Sequence, residues 1–150
     1  VQYSKKSFEI LILEAMKMAD SSLQSIIDDW SSHVFGLAQM YNIKLDYSEK
    51  SVEKVEQLCE IIYRQIISNK NIKEENIDKV SRIIGSYLGE LIIKNIGGEW
   101  TINAEKLLAV RLNCFECYPI IKVYKRVMNG NEDNIEFYYK VCKSQMLQQG

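Results

Sequence analysis

The sequence predicts one mainly α domain of about six helices, with a single small β-hairpin between the fourth and the fifth. Three observations predict it. Apolar residues recur at spacings of three and four along most of the chain, the period that gathers them on one face of a helix. Residues that favour strands cluster only between Trp100 and Leu112. One proline and no low-complexity stretch leave nothing to mark a domain boundary, so residues 1–150 are read as a single helical domain.

Phe8, Leu11, Ile12, Ala15 and Ala19 form the first stripe, which Asp20 and Ser21 interrupt. Leu23, Ile26, Ile27, Trp30, Val34, Leu37, Ala38 and Tyr41 carry a second helix, with Asp28, Asp29, Ser32 and Gln39 on its other face. Asp46 followed by Glu49 has the spacing of a capping box, and Val52, Val55, Cys59, Ile62 and Ile66 continue as a third helix to about Ser68. Glu74 and Glu75 suit the positive end of a helix dipole; Ile77, Val80, Ile84, Leu88, Leu91 and Ile92 follow them, and Gly97-Gly98 closes this fourth helix. Trp100 to Asn103 and Leu107 to Leu112 make the hairpin. Pro119 at a first helical position, then Ile120, Val123, Tyr124 and Val127 before Gly130, mark a short fifth helix. Asp133 and Glu136 repeat the capping-box spacing ahead of Ile135, Tyr138, Tyr139, Cys142 and Met146, the last helix.

A chain of 150 residues with 47% hydrophobic and 26% charged side chains can build a core without disulfides or metals. Its 19 basic and 20 acidic residues give a net charge of -1, which supplies no long-range field to gather nucleic acid or anionic lipid. The basic cluster Lys122, Lys125, Arg126, Lys140 and Lys143, beside Tyr118 and Tyr124, has no helix-turn-helix or aromatic RNA-binding motif with it and is read as a solvated face. No stretch approaches the roughly 20 apolar residues of a membrane helix, and Glu14, Lys17 and Asp20 interrupt what would be the core of a secretory signal. A cytoplasmic address is therefore expected, although position 1 is Val and not Met.

Cys59, Cys114, Cys117 and Cys142 are too few for a disulfide framework, so reduced thiols are expected. Cys114-Phe115-Glu116-Cys117 has the spacing that binds zinc or runs dithiol exchange, but no second pair and only one histidine, His33, accompany it. No metal or cofactor is expected. His33 lies beside the apolar stripe of the second helix and reads as a boundary residue. Asp28-Asp29 and Glu74-Glu75 are sequence neighbours, which diverge on a helix and read as solvated faces. Serine lacks any nucleophile-elbow context.

The unusual segment lies in the fourth helix. Gly85 and Gly89 each cost about 1 kcal/mol against alanine inside a helix, so their retention, one turn apart on one face, predicts that another backbone approaches closely. Gly97-Gly98 follows a helix and so presents carbonyls, which excludes a phosphate loop. Trp100 is read as a core anchor of the hairpin. Glu90 adjoins the glycine face and is expected to pair with Arg111 or Lys94.

The order Tyr87-Leu88-Gly89-Glu90, then Gly97-Gly98-Glu99-Trp100, Val110-Arg111-Leu112, Tyr118-Pro119 and a short basic helix resembles a family of small bacterial proteins over roughly residues 80 to 147. A count of 15 Lys against 4 Arg, with 20 Ile and 10 Asn, fits the codon usage of an AT-rich bacterial genome. Proteins of this kind are similar in size and character to immunity proteins of interbacterial toxin systems. The resemblance implies a non-enzymatic protein that neutralises a cognate toxin by binding and occluding it. It transfers no catalytic residue. The contact candidates are the exposed members of Tyr87, Trp100, Tyr118, Tyr124, Tyr138 and Tyr139, with Glu90 and Arg111 as charged neighbours. The alternative is a small ligand-binding domain or enzyme with a pocket near Glu90, Trp100 and Arg111.

Overall fold

Amphipathic periodicity becomes helix and β-branched runs become sheet in the order the sequence sets out. The computed structural model describes residues 22–148. These form α1 (Leu23–Ser32), α2 (Val34–Gln39), α3 (Ser51–Ser68), α4 (Glu74–Asn95), β1 (Glu99–Ile102), β2 (Leu108–Leu112), β3 (Phe115–Cys117), α5 (Pro119–Asn129), a 3-10 turn (Asn131–Asp133) and α6 (Ile135–Gln148). The fold is mainly helical. The stripe from Phe8 to Ala19 lies outside the described residues.

Three expectations need correction. The stripe from Leu23 to Tyr41 is not one helix: the chain turns at His33, which is exposed there, and α2 starts anew at Val34. Capping at Asp46 and Asp133 is also displaced. Asp46 accepts from the Ser48 amide and from the Ser48 and Ser51 hydroxyls, bracing the turn before α3, while Asn134 Oδ1 accepts from the Phe137 amide at 3.0 Å and caps α6. The hairpin is a three-stranded antiparallel sheet in the order β1-β2-β3, because the chain turns at Asn113 (φ 60°) and Phe115 to Cys117 return along β2.

Helix α5 lies at the centre, packed against α4 on one side and α3 on another, with α1 covering α4 and α6 covering α3. Ile84, Leu88, Leu91, Ile92, Val123, Val127 and Ile135 are buried where these helices meet. Each such side chain contributes about 1.5–3 kcal/mol relative to exposure. The α4–α5 crossing is so close that a Cβ on residue 85 would collide with the backbone of Ile120, the close backbone approach that the paired glycines predict. The second glycine admits a side chain instead: the space a Cβ on residue 89 would take is occupied by the Trp100 ring. At the end of α4 the Gly97 amide donates to the Ile92 carbonyl at 3.2 Å, and Gly97 and Gly98 take φ of 124° and 95°.

The core also holds an ion pair. Arg126 on α5, only 1% exposed, donates from Nε and Nη2 to the Glu56 carboxylate on α3 at 2.9 and 2.6 Å, and from Nη2 to Glu60 at 2.7 Å. Glu56 accepts in addition from the Ile135 amide at 2.9 Å, so one carboxylate joins α3, α5 and the first turn of α6.

Candidate functional site

Tyr87 is buried in α4, where its hydroxyl donates to the Asp46 carbonyl and its ring meets Phe35 and Tyr47. Burial pushes this phenol up to about 12. Tyr124 is buried in α5 with its hydroxyl toward Glu74, and Tyr139 is buried in α6 and donates to Glu49 at 2.8 Å. These three tyrosines fasten the fold. None of them is an exposed anchor.

Glu90, Trp100 and Arg111 do not converge. Glu90 accepts from Gln24 Nε2 at 2.6 Å, in place of the expected Arg111 or Lys94. Lys94 lies over the Tyr47 ring at 4.8 Å, and Arg111 is an exposed residue of β2 that pairs with Glu116 on β3 at 3.5 Å, its direct partner in the register. Glu90 and Trp100 line one open groove of about 440 Å³ with Ser22, Leu23 and Gln24. Burial raises the Glu90 carboxyl above the usual range, opposed by the hydrogen bond from Gln24. The Trp100 indole N–H is buried outside hydrogen-bond geometry with any acceptor among the described residues, though near enough to Glu90 to favour its charged form.

Tyr118 and Tyr138 do come together. The Tyr118 amide, at the end of β3, donates to the Tyr138 hydroxyl at 2.8 Å, and the Tyr118 hydroxyl donates to Glu116 Oε2 at 3.2 Å. Both tyrosines are half-buried beside a shallow groove of about 270 Å³ that also takes in Phe115, Glu116, Lys122 and Lys125. Asn103 Nδ2 donates to Glu116 at 2.9 Å and, with Tyr118 and Arg111, holds that carboxyl below the usual range.

The basic cluster dissolves as a unit. Arg126 is sealed in the core, Lys122 pairs with Asp133 at 3.0 Å, and Lys143 pairs with Glu49 at 2.9 Å. Asp28, Asp29, Glu74 and Glu75 are exposed, as their positions predict. The four cysteines are thiols, of which Cys114 is exposed and the others buried. Cys114 lies exposed in the turn before β3 and Cys117 is buried at the end of that strand, where Cys142 on α6 shifts its thiol.

Sequence reasoning passes over Gln24, Glu56 and Glu116. A signal existed for Glu56, which falls four residues after Val52 and three before Cys59, inside the apolar stripe of α3. Gln24 and Glu116 carry no such mark. Among the described residues no group of three or more His, Cys, Asp and Glu side chains is placed to hold a metal ion, and no helix is long and apolar enough to cross a membrane. No protein-family model matches the sequence, and no curated protein or solved structure matches it either.

Proposed function

We propose that this chain is a non-enzymatic binding protein of the immunity type, which neutralises a cognate bacterial toxin by covering its active site. The observation that supports this reading best is the face made by β3 and the facing turns of α5 and α6. Phe115, Tyr118 and Tyr138 stand half-buried around a shallow groove, with Glu116 and Lys125 at its edge. Rigid aromatic rings give contact area at low entropic cost, and the charges around them steer approach and reject wrong partners. Tyr118 and Tyr138 are held by hydrogen bonds before any partner arrives, so little ordering is left to the binding step.

The test is co-expression with a toxin-like protein encoded by a neighbouring gene. The wild-type chain restores growth, Lys125→Glu and Phe115→Ala weaken protection, and Lys70→Glu, on the distant α3–α4 link, leaves it intact. Equal protection by all three variants would move the contact face elsewhere, and no protection by any chain would remove the reading.

A second reading, a small-ligand domain, is supported by the groove at Glu90 and Trp100, where a buried indole N–H outside hydrogen-bond geometry lies near a carboxyl raised by burial. A ligand with an acceptor for that N–H would change Trp100 fluorescence in the wild-type chain and not in Glu90→Ala.

A further inference from the structure

We propose that the groove at Glu90 and Trp100 binds a small organic ammonium ion, with its charged end against the Glu90 and Asp28 carboxylates and its apolar body against Leu23, Ile93 and Trp100. The inference rests on the second reading above, which makes this groove a ligand site, and it names what that site takes.

Geometry carries it. One nitrogen, Nε2 of Gln24 on α1, donates to Asp28 Oδ1 at 2.8 Å and to Glu90 Oε1 on α4 at 2.6 Å. Gln24 and Asp28 stand one turn apart on α1, and the packing of α1 on α4 brings Glu90 to them. Two carboxylates are thus held side by side through a neutral amide.

No cation answers them. The ion pairs among the described residues leave out Asp28, Glu90 and also Glu99, a further carboxylate lining this groove. Lys94, one turn beyond Glu90, lies over the Tyr47 ring at 4.8 Å, and Arg111 pairs with Glu116. The imbalance is felt nearby. Burial and the Asp28 charge raise the Glu90 carboxyl against the hydrogen bond from Gln24, and burial with the charges of Glu90 and Asp28 raises the Tyr47 phenol. A cation seated at the two carboxylates would relieve their repulsion and gain charge-assisted hydrogen bonds.

The kind of cation follows from the donors and the walls. Among the described residues no three His, Cys, Asp or Glu side chains are placed to hold a metal ion. An ammonium group, with its three N–H donors, suits a pair of carboxylates. The groove of about 440 Å³ also offers Leu23, Ile93 and Trp100, room enough for one ring on a short linker. The Trp100 ring is already seated in the gap at Gly89, so binding need not order it.

Calorimetric titration of the folded chain with three probes of one shape tests the proposal: tyramine, which carries an ammonium group, tyrosol, with a hydroxyl in its place, and 4-hydroxyphenylacetate, with a carboxylate. Tyramine should bind about tenfold more tightly than tyrosol, and 4-hydroxyphenylacetate should not bind. Glu90→Gln and Asp28→Asn should each weaken tyramine about tenfold and leave tyrosol unchanged. Asp28 is exposed, so its variant decides if Glu90→Gln does not fold. In the NMR spectrum of Trp30→Phe, tyramine should shift the remaining indole N–H signal, that of Trp100. Equal affinity for tyramine and tyrosol would overturn the ammonium ion and leave a ligand groove standing, whereas binding of none of the three would remove the second reading with it. Tyramine binding that survives both substitutions would lie elsewhere and would also overturn the proposal.

Discussion

The ring of Trp100 lies in the space that a side chain on residue 89 would need, so the glycine of α4 and the tryptophan of β1 form one packing unit. This relationship accounts for the most unusual stretch of the sequence without chemistry. Gly85 admits the backbone of Ile120, Gly89 admits Trp100, and Gly98 admits the carbonyl of Arg111. The stretch from Tyr87 to Trp100 is thus a joint between the helices and the sheet.

Alanine at these positions gives the first prediction. Gly→Ala in a helix gains about 1 kcal/mol of propensity, and forcing a methyl into filled space costs about 1–3 kcal/mol or more. At Gly85 and Gly89 the clash is with backbone and with an anchored ring, so urea denaturation should show a net loss of about 2 kcal/mol in each variant. Gly36 is the control. Nothing lies within 4 Å of its missing Cβ, and Gly36→Ala should stabilise the chain by about 1 kcal/mol.

The Arg126–Glu56 pair gives the second. Removing one partner from a buried ion pair leaves an uncompensated charge and costs about 3–5 kcal/mol. Glu56→Ala also strands the Ile135 amide, so it should exceed Arg126→Met in denaturant sensitivity. The double variant Glu56→Leu/Arg126→Met should recover part of the loss, because two apolar side chains need no counter-charge. Strict additivity of the single effects would contradict the pairing.

Acid provides the third. Asp46 accepts from the Ser48 hydroxyl and amide and from the Ser51 hydroxyl, and these bonds pull its carboxyl from 3.8 to about 2. A folded-state pKa below the unfolded value means that the ionised form favours the fold. The contribution is complete above about 3.8 and disappears as pH falls toward about 2. Glu49, Glu60 and Glu116 are lowered by their own hydrogen bonds and act in the same direction, whereas burial raises Glu90, which opposes them. Thermal melts should therefore fall on acidification through this window. Asp46→Ala should melt lower than wild type at neutral pH, with the difference closing at the acid end.

How far the fold could be read from the sequence follows from which interactions are local. The stripes of α3 and α4, the proline that opens α5 and the glycines that close α4 and α5 act within a few residues, and each was legible. The break at His33 was not, since both sides continue the same apolar spacing. The third strand was hidden by its length: Phe115, Glu116 and Cys117 are too few to establish an alternation, and the cysteine spacing drew attention to Cys114 in place of Cys142. The candidate site was less legible still. Tyr87 and Tyr139 look like free aromatic anchors until their hydroxyls meet Asp46 and Glu49, 41 and 90 residues away in the chain. Arg126 likewise reads as one of a basic cluster until α3 brings Glu56 to it across 70 residues.

The central claim is that this chain acts by covering a partner and not by turning one over, and a stoichiometric titration separates these outcomes most directly. A purified candidate toxin, the product of a neighbouring gene, is held at fixed concentration well above the dissociation constant, and its residual activity is followed as the chain is added. Activity should fall in a straight line and reach zero at one chain per toxin, with no dependence on preincubation time. Progressive inactivation by a small fraction of an equivalent, growing with time, would contradict the account.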